Sequence, residues 1–255
     1  MKYSKAAPVK IVMLGAGGTG AHIAPHLYRM LYALDRPVRF IICDGDIVES
    51  NNLVRQNFVA ADLGRNKAQV LAERYASAFG LEIEYVPEYI EDPSRLAEIT
   101  KPDRFRYSQY SWDDTEGHSI LIGAVDNHSS RRMCDAVFRA ARDLIYIDSG
   151  NNDYCGQVVC GIKRKGRTYF KPAASVYPDI LDETADDKFP SELSCEEAAI
   201  SAPQSIAANL MAATAVICMI YNILTVGDIS VRDLYFNTNL VSIRSTTNTK
   251  RRKTA

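Results

Sequence analysis

The stretch "IVMLGAGGTGAHIA", residues 11–24, decides the fold. The apolar run Ile11 to Leu14 completes a buried strand beginning at Lys10, and a helix is expected over residues 19–34. Between them Gly15, Gly17, Gly18 and Gly20 form G-x-G-G-x-G. Pro25 is placed close to the helix start, where proline does least harm. Glycines in a strand–turn–helix setting allow a tight turn and bring backbone N–H groups up to phosphate oxygens, with the positive helix end behind them. The pattern predicts a nucleotide site without naming the nucleotide. It is not a Walker P-loop, because no Gly-Lys-Ser/Thr follows.

Further along, Val38 to Asp44 reads as a second strand, and "RNKAQVLAERYASAFG" (65–80) as a helix stopped by Gly80. "LEIEYVPEYI" (81–90) alternates like a strand, and "SILIGAVD" (119–126) is a continuous apolar run suited to a central parallel strand. Arg131 to Arg142 is expected to be helical and "LIYIDSG" (144–150) to be the next strand. This alternation predicts an α/β fold with a doubly wound, mostly parallel, Rossmann-like sheet. After residue 150 the pattern changes. Residues 156–172 read as an antiparallel hairpin, 171–203 as a long acidic crossover loop, and 233–246 as strand again after a long helix. Residues 100–118 look like a polar surface insertion. We therefore expect one domain over 1–255, with a nucleotide-binding half (1–150) and a half of antiparallel strands, crossover loop and buried helix (151–255).

A chain of 255 residues can build one sizeable core, and a net charge of −1 gives no field to draw it to nucleic acid or an anionic membrane. The basic tail "KRRKTA" reads as a frayed end. No secretory signal is visible, so a cytoplasmic location is expected. Six cysteines without a C-x-x-C pair read as reduced thiols, mostly in the core, and no zinc is expected. "IAANLMAATAVICMIYNILTV" (206–226) is long enough to span a bilayer. It carries Asn209, Thr214, Asn222 and Thr225 and lacks flanking Lys or Arg, so we expect a fully buried helix, central to the fold or in a dimer interface, and no membrane span.

The residues after the second strand discriminate among nucleotides. Asp44 suits a ribose in either NAD or ATP, but a second acid, Asp46, follows, with Asn52, Arg55 and Gln56 close behind. Arg55 can pair with phosphate oxygens through its planar fork, and Lys67 adds a second positive charge. Asp126 and Asn127 stand at the carboxyl end of a central strand, where ligands of open α/β sheets sit. Asp126 is the candidate ligand for Mg²⁺ against the phosphates; an N-cap for the following helix is the alternative role.

Taken in order, these motifs resemble the ThiF/MoeB/HesA family of ubiquitin-activating-type adenylyltransferases. The shared elements are the glycine loop, "DGDIVESNNLVRQ" (44–56), "GRNK" (64–67) and "DNHSSR" (126–131). "SCEEAAISAPQSIAANLMAATA" (194–215) is similar to the family's cysteine-containing crossover and following helix, and the later features look most like the ThiF-like proteins of PRTRC systems. The resemblance implies an enzyme in which the C-terminal carboxylate of a small ubiquitin-like or sulfur-carrier-like protein attacks the α-phosphate of ATP. It implies that Asp44 holds the ribose, Asn52, Arg55 and Lys67 contact phosphates, Asp126 binds Mg²⁺, and Gln56 and Arg131 position them. It further implies a homodimer, a conjugating-enzyme-like partner, and a second step in which Cys195 takes the acyl group as a thioester. Glu192, Glu196 and Glu197 crowd that thiol and would raise its pKa, so an inert loop cysteine is the alternative. The sequence departs from the family in two respects: no arginine precedes the first strand, and the zinc-binding cysteine pairs are missing. An NAD(P)-dependent oxidoreductase would explain the glycine loop and Asp44 but not "NNLVRQ" and "DNHSSR" as a set. A non-catalytic member that binds ATP and carrier is the third reading, opposed by the retained charges.

Overall fold

The computed structural model describes residues 2–103, 117–182, 188–192 and 204–247. Strand β1 (Val9–Leu14) lies between β2 (Val38–Cys43) and β4 (His118–Gly123), parallel to both. All six of its residues are buried, as a strand covered on both faces requires. β3 (Tyr85–Val86) extends the sheet beyond β2, and β5 (Leu144–Asn151) extends it beyond β4, again in parallel. β6 (Cys155–Arg164) reverses direction, and β8 (Val231–Asn237) and β9 (Ser242–Thr247) continue antiparallel. The order is β3-β2-β1-β4-β5-β6-β8-β9, with β7 (Arg167–Phe170) paired to β6. This is the mostly parallel α/β sheet with antiparallel C-terminal strands that the sequence predicts.

Helices α1 (Gly18–Tyr32), α2 (Lys67–Phe79) and α6 (Ile206–Tyr221) share the larger apolar core on one face. Helices α3 (Pro93–Thr100) and α4 (His128–Ala140) cover the other face, and the short α5 (Ala173–Val176) packs on β6 beside them. The crossovers change face between β1 and β4, which opens a crevice at their carboxyl ends.

Several boundaries move for identifiable reasons. The strand expected over 81–90 contracts to Tyr85–Val86, because Pro87 cannot donate to a ladder. Helix α4 begins at His128, three residues early, since the Asn127 side chain caps it by accepting from the Ser130 N–H at 2.7 Å. Pro25 sits midway along α1 rather than near its start. It has no N–H for the Ala21 carbonyl, and Asn57 Nδ2 donates to that carbonyl instead at 3.3 Å. The expected hairpin closes on Lys165 and Gly166, both at positive φ, as a two-residue β-turn needs.

Within one chain, the helix expected to be buried in the fold or in a dimer interface is half-buried. Ile206–Val226 is apolar and long enough to cross a membrane, and half of it is covered by the rest of the chain. Ala208, Ala212, Ala215 and Met219 face the core, whereas Ile206, Leu210, Thr214, Cys218 and Tyr221 form an exposed stripe at helical spacing. A helix laid on a sheet can bury only one side. Cys43, Cys134 and Cys160 are in the core as expected, Cys155 is half-buried and Cys218 is exposed. Cys195, residues 104–116 of the polar insertion and the tail "KRRKTA" lie outside the described residues.

Candidate nucleotide site

The glycine loop wraps the carboxyl end of β1. Gly15 adopts φ +91°, and a Cβ there would strike the Ala124 carbonyl oxygen at 2.4 Å. A Cβ on Gly20 would meet the Gly15 carbonyl oxygen at 2.0 Å, so this helix turn must stay bare to pack on the loop. At Gly17 the same position opens on empty space, leaving the first turn of α1 approachable.

The two acids after β2 have different work. Asp44 is 8% exposed, and its oxygens accept the N–H groups of Ala16 at 2.5 Å and Asp46 at 2.8 Å. It thereby ties the glycine loop to the end of β2. Burial, and then the charge of Asp46, push its pKa up to about 6, against the pull of Lys67 and the two N–H donors. Asp46 remains 44% exposed at its side chain; it pairs with Lys67 Nζ at 2.7 Å and accepts from the Tyr89 hydroxyl. Lys67 is itself buried at the start of α2, after Asn66, whose side chain caps the helix by accepting from Gln69 N–H. Asn66 Nδ2 also donates to the carbonyls of Asp44 and Asp46, so one residue fixes both the helix start and the acidic turn.

The segment "ESNNLVRQ" folds as a 3-10 turn over Ser50–Val54. Asn52 is buried within it; its Oδ1 accepts from Glu49 N–H at 2.9 Å and its Nδ2 donates to Asn51 Oδ1 at 3.0 Å. Its amide therefore stabilises the turn that presents Arg55. His22 Nε2 lies 3.0 Å from the Arg55 carbonyl oxygen and ties that turn to α1. The Arg55 guanidinium donates to Gln204 Oε1 at 3.0 Å and lies against the first turn of α1, where a Cβ on Gly18 would meet its Nη1 at 2.7 Å. Gln56 is buried beside this turn, and its Oε1 has no hydrogen-bond partner among the described residues.

At the carboxyl end of β4, Asp126 is exposed and its carboxylate has no ion-pair or hydrogen-bond partner among the described residues. Arg131 supports its loop from behind: Nη2 donates to the Val125 carbonyl at 3.0 Å, and Nε lies 3.7 Å from Asp148 Oδ1. Asp148 is buried, accepts from the Tyr146 hydroxyl at 2.8 Å, and has its pKa raised by burial. No group of three or more His, Cys, Asp or Glu side chains comes together among the described residues. The donor set at Asp126 is thus one exposed carboxylate just beyond the carboxyl end of β4. That fits Mg²⁺, which takes one or two carboxylates and completes its shell with phosphates and water, and does not fit an all-protein cage.

Sequence inspection missed a polar chain that crosses the site. Thr19 Oγ1 donates to Asn151 Oδ1 at 3.0 Å, and Asn151 Nδ2 donates to Asn209 Oδ1 at 3.1 Å. The legible signal was an asparagine in a largely apolar helix. A cavity of about 430 Å³ lies elsewhere, lined by Lys10, Arg39, Ile41, Glu84 and Ile99. Its cations are already neutralised, Lys10 by Asp103 and Arg39 by Glu84 and Asp103, so it offers no free charge to a ligand.

Together these features define a doubly wound α/β protein with its candidate ligand crevice at the topological switch point. The chain belongs to the ThiF family, whose model matches residues 2–255. It is similar to the SUMO-activating enzyme subunit uba-2 of Caenorhabditis elegans, 26% identical over 173 residues that cover 66% of this chain and 26% of that protein. Among solved structures it is similar to E. coli MccB with ATP (TM-score 0.62, 18% identity, 95% of this chain and 63% of that one). The microcin C7 biosynthetic enzyme MccB in complex with N-formylated MccA superposes at a TM-score of 0.65 with 17% identity, over 95% of this chain and 65% of that one. At these identities the structural likeness is one of fold. The chain spans about a quarter of the SUMO-activating subunit and slightly under two thirds of these solved chains.

Proposed function

We propose that this protein is an ATP-dependent adenylyltransferase that activates the C-terminal carboxylate of a small ubiquitin-like or sulfur-carrier-like protein. Membership of the ThiF family and likeness to an E1 subunit and to MccB support this class. The observation that carries it is the Arg55 guanidinium held against Gly18 at the start of α1. A guanidinium in that position suits a phosphate chain under attack, whose developing charge it would stabilise.

In the reaction, a carboxylate oxygen of the carrier forms a bond to the α-phosphorus while the bond to pyrophosphate breaks, giving an acyl-adenylate. The first turn of α1 and Arg55 receive phosphate oxygens. Lys67 holds the Asp46 carboxylate in place, and the Asp44–Asp46 turn accepts ribose hydroxyls. Asp126 would hold Mg²⁺, which when bound would neutralise charge on the departing pyrophosphate. Arg131 keeps the Asp126 loop in place through the Val125 carbonyl. In a second step the thiolate of Cys195 attacks the acyl carbon and displaces AMP, forming the thioester that a conjugating-enzyme-like partner accepts. The exposed stripe of Ile206, Leu210 and Tyr221 on α6 supports a homodimer.

The test is ATP–pyrophosphate exchange with a carrier encoded beside this gene, alongside thermal shifts with Mg·ATP and with NAD(P)(H). Carrier-dependent exchange and stabilisation by Mg·ATP alone are expected. Stabilisation by NAD(P)(H) without exchange would return the chain to the oxidoreductases.

A further inference from the structure

We propose that Asn209 is a binding residue for a phosphate oxygen of the nucleotide, acting with Arg55 across Gly18. The inference rests on the adenylylating reading of the site and adds a residue from α6, far from the motifs, to its phosphate contacts.

The amide orientation follows from its neighbours. Asn151 Nδ2 faces two oxygens, Asn152 O at 3.5 Å and Asn209 Oδ1 at 3.1 Å, while Asn151 Oδ1 accepts from Thr19 Oγ1 at 3.0 Å. Turning Asn151 over would set its oxygen against the Asn152 carbonyl. Asn209 therefore presents its oxygen to Asn151 and its nitrogen to the glycine loop. That nitrogen is buried, on a residue 0% exposed, and has no hydrogen-bond partner among the described residues. An unmet buried donor is costly, and native folds keep few of them without a purpose.

The nitrogen is aimed at a particular place. A Cβ on Gly18 would come within 2.3 Å of Asn209 Nδ2 and within 2.7 Å of Arg55 Nη1. Two nitrogens that can only donate thus converge on the first turn of α1, whose own free N–H groups favour an anion. The acceptor that now meets Arg55 is the neutral amide oxygen of Gln204, one residue ahead of the α6 cap Ser205. We take this oxygen as the stand-in for an anionic one at Arg55. A phosphate oxygen that displaces it and moves in between the two nitrogens would accept from both, and Thr19 and Asn151 act as positioning residues that fix the amide.

The test compares Mg·ATP and adenosine binding, by calorimetry, in wild type, Asn209→Asp and Thr19→Val. Asn209→Asp keeps the shape but removes the donor and adds a negative charge beside Arg55, so its loss counts for the assignment only together with a loss in the uncharged Thr19→Val. Asn209→Asp should weaken Mg·ATP by about tenfold or more, the scale of one hydrogen bond to an ionised group, and leave adenosine unchanged. In pyrophosphate exchange the KM for ATP should rise with kcat largely kept. Thr19→Val, which frees the amide to turn, should give a smaller loss in the same phosphate-dependent sense, and it carries the test should Asn209→Asp not fold. Equal losses for Mg·ATP and adenosine, unchanged Mg·ATP affinity, or a raised KM for the carrier alone would each overturn the assignment. Tight Mg·ATP binding by wild type without any exchange would overturn the adenylylating reading while leaving the phosphate contact standing.

Discussion

The two acidic strand ends that border the crevice are built on opposite terms. After β2, Asp44 and Asp46 are bound into the fold by two backbone N–H groups, a buried lysine, a tyrosine hydroxyl and the amide of Asn66. After β4, Asp126 stands exposed, and only its loop is held, from behind, by Arg131. The first cluster is tied down within the chain and shapes the crevice before any ligand arrives. The second has no partner among the described residues. On the proposed reading, preorganisation and ligand capture are divided between two strand ends, and substitutions should separate them.

The largest effect should come from Asp126→Ala. Pyrophosphate exchange should fall by roughly a thousandfold, while stability stays within about 0.5 kcal/mol, since an exposed side chain without partners is removed. Intact exchange, measured beside a urea melt, would end the division of labour just described.

Lys67→Met should act next. Exchange should drop by roughly a hundredfold through loss of the charge that orients Asp46. Stability should change by less than about 1 kcal/mol, because removing a buried ammonium recovers its desolvation cost and Asp46 can still turn to water. A stability loss several times larger would show that the pair is a structural pillar.

The smallest effect concerns Asp44, whose folded pKa is raised to about 6 from 3.8. A carboxyl raised in the folded state binds its proton more tightly there than in the unfolded chain. The stability it contributes is complete below about pH 4 and is lost as pH rises through 6. Wild type measured against Asp44→Asn should lose relative stability between pH 4 and pH 6.5. A flat difference would mean that the two N–H donors and Lys67 cancel the effects of burial and Asp46.

Much of this protein was legible in its sequence because local patterns dictate local structure. The run Ile11 to Leu14 followed by spaced glycines specifies strand, turn and helix. The uninterrupted apolar runs behind β4 and β5 specify strands buried on both faces, hence parallel ones. Asp44, Arg55, Lys67 and Asp126 offer themselves as candidates in the sequence because they lie close to the ends of such elements, where the fold class puts ligands. The misreadings arose where tertiary contacts override the local pattern. Alternation over 81–90 promised a strand, but Pro87 denied it a ladder. The apolar composition of α6 promised burial in the fold or in a dimer interface, and within the chain only one face of it is covered.

The sequence by itself determined the order of elements, the glycine turn and the residue types at the strand ends, since each depends on neighbours a few positions apart. Only the tertiary structure decided that Asp44 would be spent on backbone and Asp46 left half in water. Only it set Asn151 and Asn209 beside Thr19 and brought Gln204 to Arg55, 149 residues away in the chain. Those pairings are fixed by how α1 and α6 pack together on one face of the sheet, and no periodicity or spacing encodes which side chains meet when two distant helices are pressed onto the same strands.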